Sequence, residues 1–197
     1  MHEPAVLPLR SVIRAMLVGI SMLGVTSVAR AQDVLLTPDQ ALHEIFPEAA
    51  RTSVEHKVLD DSLRQRLSQT LGRPITESVV DVTRVFDAGG AFRGYAVVTE
   101  EIGKYKPITF MVGVTPQLAV RDVAVMVYRE SHGGDVKRRR FLDQYRGKTA
   151  RDPIDANRDI INISGATISV RSMNAGVKRV LTELTLLYGS TAAAAHR

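Results

Sequence analysis

The chain has 197 residues, 26 Lys and Arg against 21 Asp and Glu, and no cysteine. Without cysteine there is no disulfide, thiolate metal site or iron–sulfur cluster, so redox chemistry here requires a bound cofactor. The first 31 residues hold Arg10, Arg14, Arg30 and Glu3, leaving 23 basic against 20 acidic residues beyond them, an excess too small to argue for nucleic-acid binding.

Residues 1–31 read as a secretory signal. Arg10 and Arg14 precede an apolar run over 15–25, and Ala29-Arg30-Ala31 offers a small-x-small cleavage site before Gln32. The run is too short for an ordinary membrane span. No cysteine follows for a lipid anchor, and the two arginines are not adjacent as in a twin-arginine signal. Export to the periplasm by the general pathway is expected, with membrane association if the segment is retained. The residues that remain suit one domain with a proper core.

Thr37-Pro38 opens a helix with proline at its first position, and Ala41, Leu42, Ile45 and Phe46 form its apolar stripe before Pro47. His43 has no second histidine at metal spacing. Residues 51–59 alternate as a strand. Asp60 and Asp61 then cap a helix carrying Leu63, Leu67 and Leu71, closed by Gly72 and Pro74. Segment 32–74 reads as scaffold within the same domain as the strands beyond it.

From Ile75 the period changes to two, with strands expected at 78–86, 91–99, 108–114 and 118–128. Asp87-Ala88-Gly89-Gly90 and Thr115-Pro116-Gln117 have hairpin-turn chemistry, and such short links leave no room for helical crossovers. The fold class is α+β, an antiparallel sheet with flanking helices, and its main domain spans 75–189.

After the last strand come Glu130, Ser131, His132, Gly133 and Gly134. Adjacent glycines let backbone approach a planar ligand and the three polar residues can hydrogen-bond its edge; a plain strand-to-helix turn is the alternative. A serine–histidine hydrolase is set aside, since sequence neighbours rarely face each other and no Gly-x-Ser-x-Gly elbow exists. The run Lys137-Arg138-Arg139-Arg140 reads as a solvated helix face, or as a dock for an acidic redox partner, with Phe141, Leu142 and Tyr145 on the apolar side. Gly147-Lys148-Thr149 fails as a P-loop because Leu142 stands where the leading glycine belongs.

The stretch Ser164-Gly165-Ala166-Thr167-Ile168-Ser169 then forms an elbow before the last long helix, whose apolar positions are Val170, Met173, Val177, Val180, Leu181, Leu184 and Leu187. Ser164 is a good N-cap residue and Gly165 permits a tight turn. Thr167 sits in the first turn, where free N–H groups and the positive dipole end favour a phosphate, and Arg171 can add a guanidinium. Alone, these residues better suit an ordinary helix cap. Beyond Gly189, residues 190–197 read as a flexible, Ala-rich tail.

Ser-Gly-Ala-Thr-x-Ser resembles the flavinylation motif of the FMN-binding domain family, which includes the C subunit of the sodium-translocating NADH:quinone reductase and the G subunit of Rnf complexes. Glu130-Ser131-His132-Gly133-Gly134 is similar to the family's Glu-x-x-Gly loop. The stretch from Phe141 to Lys148 is similar to its aromatic-x-x-Gln-aromatic-x-Gly-Lys segment. The family's acidic residue before the serine is absent: Ile161 stands there, and Asp159 lies two positions earlier. The resemblance implies a twisted antiparallel sheet with the flavin site at one end. It also implies FMN joined through its phosphate to Thr167 by a flavin transferase, and a membrane or periplasmic redox partner. Ser164, Gly165, Ala166, Ser169 and Arg171 would surround that phosphate, the 130–134 loop would approach the isoalloxazine, and Lys148 would meet a flavin phosphate or be a surface lysine. No catalytic residue, metal ligand or nucleic-acid partner is expected. The reading is a periplasmic electron-transfer flavoprotein; a flavin-dependent reductase of a small extracytoplasmic acceptor and a non-redox structural or binding module are the alternatives.

Overall fold

The structure is a computed structural model that describes residues 33–194; the expected signal, residues 1–31, lies outside the described residues. Elements follow in the order β1 (Asp33–Val34), α1 (Pro38–Ile45), β2 (Arg51–Val58), α2 (Asp61–Leu71), β3 (Val79–Phe86), β4 (Phe92–Ile102), β5 (Pro107–Val114), β6 (Val120–Tyr128), α3 (Arg139–Leu142) and α4 (Thr167–Ala194).

Local chemistry sets the early boundaries. Thr37 and Gln40 form a reciprocal capping box, the Gln40 N–H donating to Thr37 Oγ1 at 3.2 Å and the Thr37 N–H to Gln40 Oε1 at 2.9 Å. Asp60 Oδ1 accepts the Leu63 N–H at 2.8 Å and so caps α2. The strands form one antiparallel sheet in the order β1-β6-β5-β4-β3-β2, closed by tight hairpins between β3, β4, β5 and β6. Strand β2, from the scaffold segment, is therefore an edge of the same sheet.

β4 runs three residues beyond the expected Thr99, because Glu100 and Glu101 remain paired, opposite Thr109 and Ile108. Their charge hid them from a reading based on apolar alternation. Glu101 is held from the side by Arg73, whose two terminal nitrogens donate to it at 2.9 and 2.6 Å.

Two cores sandwich the sheet. On one face α4 buries Val170, Met173, Val177, Val180, Leu181 and Leu184 completely, against Val97, Phe110, Val112 and Val123. Each such aliphatic side chain contributes about 1.5–3 kcal/mol when fully removed from water. On the other face α1 packs Ala41, Ile45 and Phe46 onto Ala96, Met111 and Ala124. α2 fits beside α4 through Leu59, Leu67, Ile75 and Leu186.

Two expectations change. The tail expected from Ser190 is helical to Ala194, as befits alanine, the strongest helix former, with no glycine or proline after Gly189 to stop it. The expected helix through the basic run is interrupted: Arg138, extended at φ −70°, ψ 137°, separates a 3-10 turn (Gly134–Lys137) from α3, which runs on directly into a second 3-10 turn (Asp143–Tyr145). Nor is the run simply a solvated face. Arg139 and Arg146 both donate to Oδ2 of the buried Asp122, Arg146 at 2.8 Å, so Arg139 ties this segment to β6.

Candidate functional site

The elbow is a turn closed by the Ala166 N–H donating to the Ile163 carbonyl at 3.0 Å. Gly165 holds its third position at φ +78°, the left-handed conformation that a type II turn requires there. A Cβ at Gly165 would meet no atom within 4 Å, so backbone conformation rather than crowding calls for glycine and the space beside it is open. α4 begins at Thr167, and its first backbone bond runs from the Val170 N–H to the Ala166 carbonyl at 2.9 Å. The N–H groups of Thr167, Ile168 and Ser169 therefore have no carbonyl partner within the helix.

This start corrects the expected cap. The residue ahead of the helix is Ala166, not Ser164, which lies in the preceding turn and is exposed. The side chain that organises the elbow is Asn162: its Nδ2 donates to Thr167 Oγ1 at 3.2 Å while its Oδ1 accepts the Ile163 N–H at 3.0 Å. Thr167 Oγ1 is thus already an acceptor, and among the described residues its hydroxyl donates to no protein group.

The loop after β6 is locked onto the elbow from below. The Tyr128 hydroxyl donates to the His132 carbonyl at 2.5 Å and lies 3.2 Å from Ser169 Oγ. Burial pushes the Tyr128 phenol above its ordinary pKa, so it stays protonated and able to donate. Ser169, 4% exposed, belongs to this internal brace. Gly133, at φ +78°, has no room for a side chain: its Cβ would lie 2.7 Å from Ser169 Oγ and 3.0 Å from the Tyr128 hydroxyl. Gly133→Ala is expected to destabilise the fold by about 2 kcal/mol, from the left-handed backbone and the displaced brace. Urea denaturation measures it, and an unchanged midpoint would mean that loop and elbow are not locked together.

Glu130 is anchored at the opposite wall. Its Oε1 accepts the backbone N–H groups of Tyr105 at 2.5 Å and Lys106 at 2.9 Å, at the tip of the β4–β5 hairpin. Burial pushes its carboxyl up, but these N–H donors outweigh it and hold the pKa below the usual value. Ser131 Oγ and His132 Nδ1 lie 2.9 Å apart.

Between these walls lies a cleft of about 610 Å3, lined by Lys104 and Tyr105 from the hairpin, Glu130, Ser131 and His132 from the loop, and residues 165–169 of the elbow. The structure thus brings Gly165, Ala166, Thr167 and Ser169 together with Glu130, Ser131 and His132, with Gly133 directly beneath. Gly134 starts the 3-10 turn beside Lys137. Arg171 is exposed and does not line the cleft. Lys148 does not reach it either: its Nζ pairs with Asp159 at 2.9 Å, and Asp159 accepts the N–H groups of Ile154 at 3.2 Å and Asp155 at 2.9 Å. Lys148 is a strut under the loop before the elbow, and Asp159 is its partner.

Three participants escape a reading by motif: Asn162, Lys104 and Tyr105. Tyr105 is 75% exposed at the mouth of the cleft. An aromatic residue at a hairpin tip was the available signal.

Residues 103–182 match the family model of the FMN-binding domain, a span that holds the hairpin tip, the loop and the elbow. Two solved structures share the fold. The crystal structure of Shewanella oneidensis NqrC is 17% identical with a TM-score of 0.54, covering 82% of this chain and 94% of that one. The crystal structure of the C subunit of the Na+-translocating NADH-quinone reductase from Parabacteroides distasonis is 14% identical with a TM-score of 0.50, covering 76% and 83%. No curated protein gives a significant match. Over residues 103–182, which hold the hairpin tip, β5, β6, the loop, the elbow and the first part of α4, the chain is similar to the FMN-binding domain family, and its fold is that of the two NqrC structures.

Proposed function

We propose that the chain is an exported electron-transfer flavoprotein whose FMN is esterified through its phosphate to the Thr167 hydroxyl. The observation that carries this reading is the placing of that hydroxyl. It stands at a helix N-terminus with three free N–H groups, on the wall of a cleft within the size range of ligand sites. Bound FMN would supply one- and two-electron transfer.

The chain's own residues do the rest. The N–H groups of Thr167, Ile168 and Ser169 would hold the phosphate oxygens. Tyr105 offers an exposed aromatic face to a planar ring, and Ser131 and His132 offer hydrogen bonds to its polar edge. Lys104, at the same mouth, adds positive charge. In maturation by a flavin transferase, Thr167 Oγ1 attacks the FMN phosphorus of FAD. The new O–P bond replaces the phosphoanhydride bond, AMP leaves, and the threonine proton passes to the transferase's base. Export rests on the leader pattern of residues 1–31. A membrane or periplasmic redox partner is supported by the fold shared with a subunit of the NADH-quinone reductase.

The test is the intact mass of the chain expressed beside a flavin transferase that is active on a control substrate. A gain equal to FMN minus water is expected, and an unchanged mass would overturn covalent attachment.

A further inference from the structure

β3 and β4 leave a gap in the sheet. Their pairing runs from Phe86 opposite Phe92 to Thr83 opposite Ala96 and ends there, while residues 79–82 go on pairing with β2 and residues 97–102 with β5. A cleft of about 500 Å3 opens between them, with Val80 and Val97 on its walls and Arg179 and Glu183 entering from α4.

Arg179 occupies one end of it. Its Nη1 donates to Glu77 Oε1 at 2.5 Å, and its Nη2 to the Thr99 hydroxyl and, at 3.3 Å, to the Glu100 carbonyl. Its Nε lies 3.3 Å from Glu101 Oε1, which Arg73 also clamps. The rim carboxylates are engaged elsewhere: Glu100 accepts the Thr109 hydroxyl at 2.7 Å, and Asp81 pairs with His56 at 2.6 Å. Glu183 differs. It is only 4% exposed, lines the cleft, and has no hydrogen-bond or ion-pair partner among the described residues. Two guanidiniums, of Arg73 and Arg179, face three carboxylates, of Glu77, Glu101 and Glu183, so one buried carboxylate is left uncompensated.

We propose that the cleft between β3 and β4 is a binding site for a primary ammonium group, which enters between the two strands and pairs with the Glu183 carboxylate. The chemistry favours an ammonium over a metal ion. Among the described residues no group of three or more His, Cys, Asp or Glu side chains is placed to hold a metal. An ammonium has three donors, which one carboxylate and carbonyl oxygens on the unpaired strand edges can satisfy. Val80 and Val97 suit the alkyl stem behind it. Burial raises the Glu183 carboxyl to about 7, with Arg179 and Arg73 opposing the shift and Glu77 and Glu101 adding to it. A proton and an ammonium therefore compete for the same oxygen atoms near neutral pH.

The experiment is a calorimetric titration of the full chain with n-butylammonium chloride at pH 8 and pH 5.5, with n-butanol as control. One saturable site is expected at pH 8, weaker by roughly tenfold or more at pH 5.5 because protonated Glu183 is not binding-competent. Glu183→Gln should lose the site at both pH values, with the His56–Asp81 pair at the rim unchanged. Glutamine has the shape of the protonated acid that the fold already holds, and the wild-type pH dependence tests the same point without mutation. Nα-acetyl-lysine methylamide separates the sources: binding tighter than butylammonium assigns the site to a lysine on a partner chain, and equal binding assigns it to a free amine. No saturable binding at pH 8, equal binding of butanol, or full affinity in Glu183→Gln would each overturn the proposal.

Discussion

Thr167→Ala, produced beside an active flavin transferase, is expected to show no gain of FMN mass at all, whereas Thr167→Ser keeps the gain. The expectation is all-or-none because the bond proposed is a phosphoester to one hydroxyl. It is specific because the other hydroxyls of the elbow are differently placed: Ser169 is buried beside Tyr128, and Ser164 lies in the turn, on the wall of a separate groove of about 420 Å3 with Arg138, Arg140 and Phe141. The fold should be nearly indifferent. Thr167 is partly exposed and makes one side-chain bond, to Asn162 at 3.2 Å, so its loss costs about 1 kcal/mol or less, offset by alanine's helix propensity. Peptide mapping together with a urea midpoint separates these outcomes. FMN still attached to Thr167→Ala would move the ester to another residue, and a collapsed midpoint would make Thr167 a structural cap.

Asn162 sharpens the same result. Its amide fixes the orientation of the Thr167 hydroxyl without taking the hydroxyl's proton, so Asn162→Ala should slow flavinylation and lower its yield while leaving the attachment point unchanged. A variant flavinylated at the wild-type rate would reduce Asn162 to a brace for the Ile163 turn.

What could be read from the sequence divides along physical lines. Periodicity and caps act locally, and they located α1, α2, strands β2 to β6 and the buried face of α4, because Thr37, Asp60 and the three-and-four spacing from Val170 operate within a few residues; the two-residue β1 is too short to carry a period. The family resemblance likewise identified the two segments that meet across the main cleft. Contacts set by chain crossing were not legible. Lys148 sits in a segment of family pattern, yet Asp159 takes it. Ser164 has the chemistry of a cap, yet the helix starts two residues too late for it. The Glu130 carboxylate faces the hairpin N–H groups, which no spacing rule connects to it. The Arg139 tie to Asp122 similarly depends on where β6 ends relative to α3.

Glu183 shows how such a long-range placement becomes measurable. Its carboxyl is raised from 4.5 to about 7 by burial in the β3–β4 gap. An acid whose folded pKa lies above its unfolded one holds its proton more tightly when folded. Below pH 4.5 both states are protonated and the group is neutral in the balance. As pH rises from 4.5 through 7 the unfolded chain loses the proton first, and stability falls by about 1.4 kcal/mol per pH unit. Above 7 the loss levels off at about 3 kcal/mol. Glu183→Gln cannot ionise, so it should be more stable than the wild type by up to about 3 kcal/mol at pH 8 and nearly equal to it at pH 4.5. Carboxylates held low by their partners, such as Asp60 and Asp159, lose stability in the opposite direction as pH falls, but they are common to both chains and cancel in the difference. Urea denaturation of the pair across pH 4.5–8.5 supplies the measurement. Parallel curves would show that the β3–β4 gap admits enough water to hydrate the carboxylate, and the uncompensated charge inferred there would be gone. Curves that converge at low pH and separate above 6 would establish a buried acid on the helix that begins at Thr167.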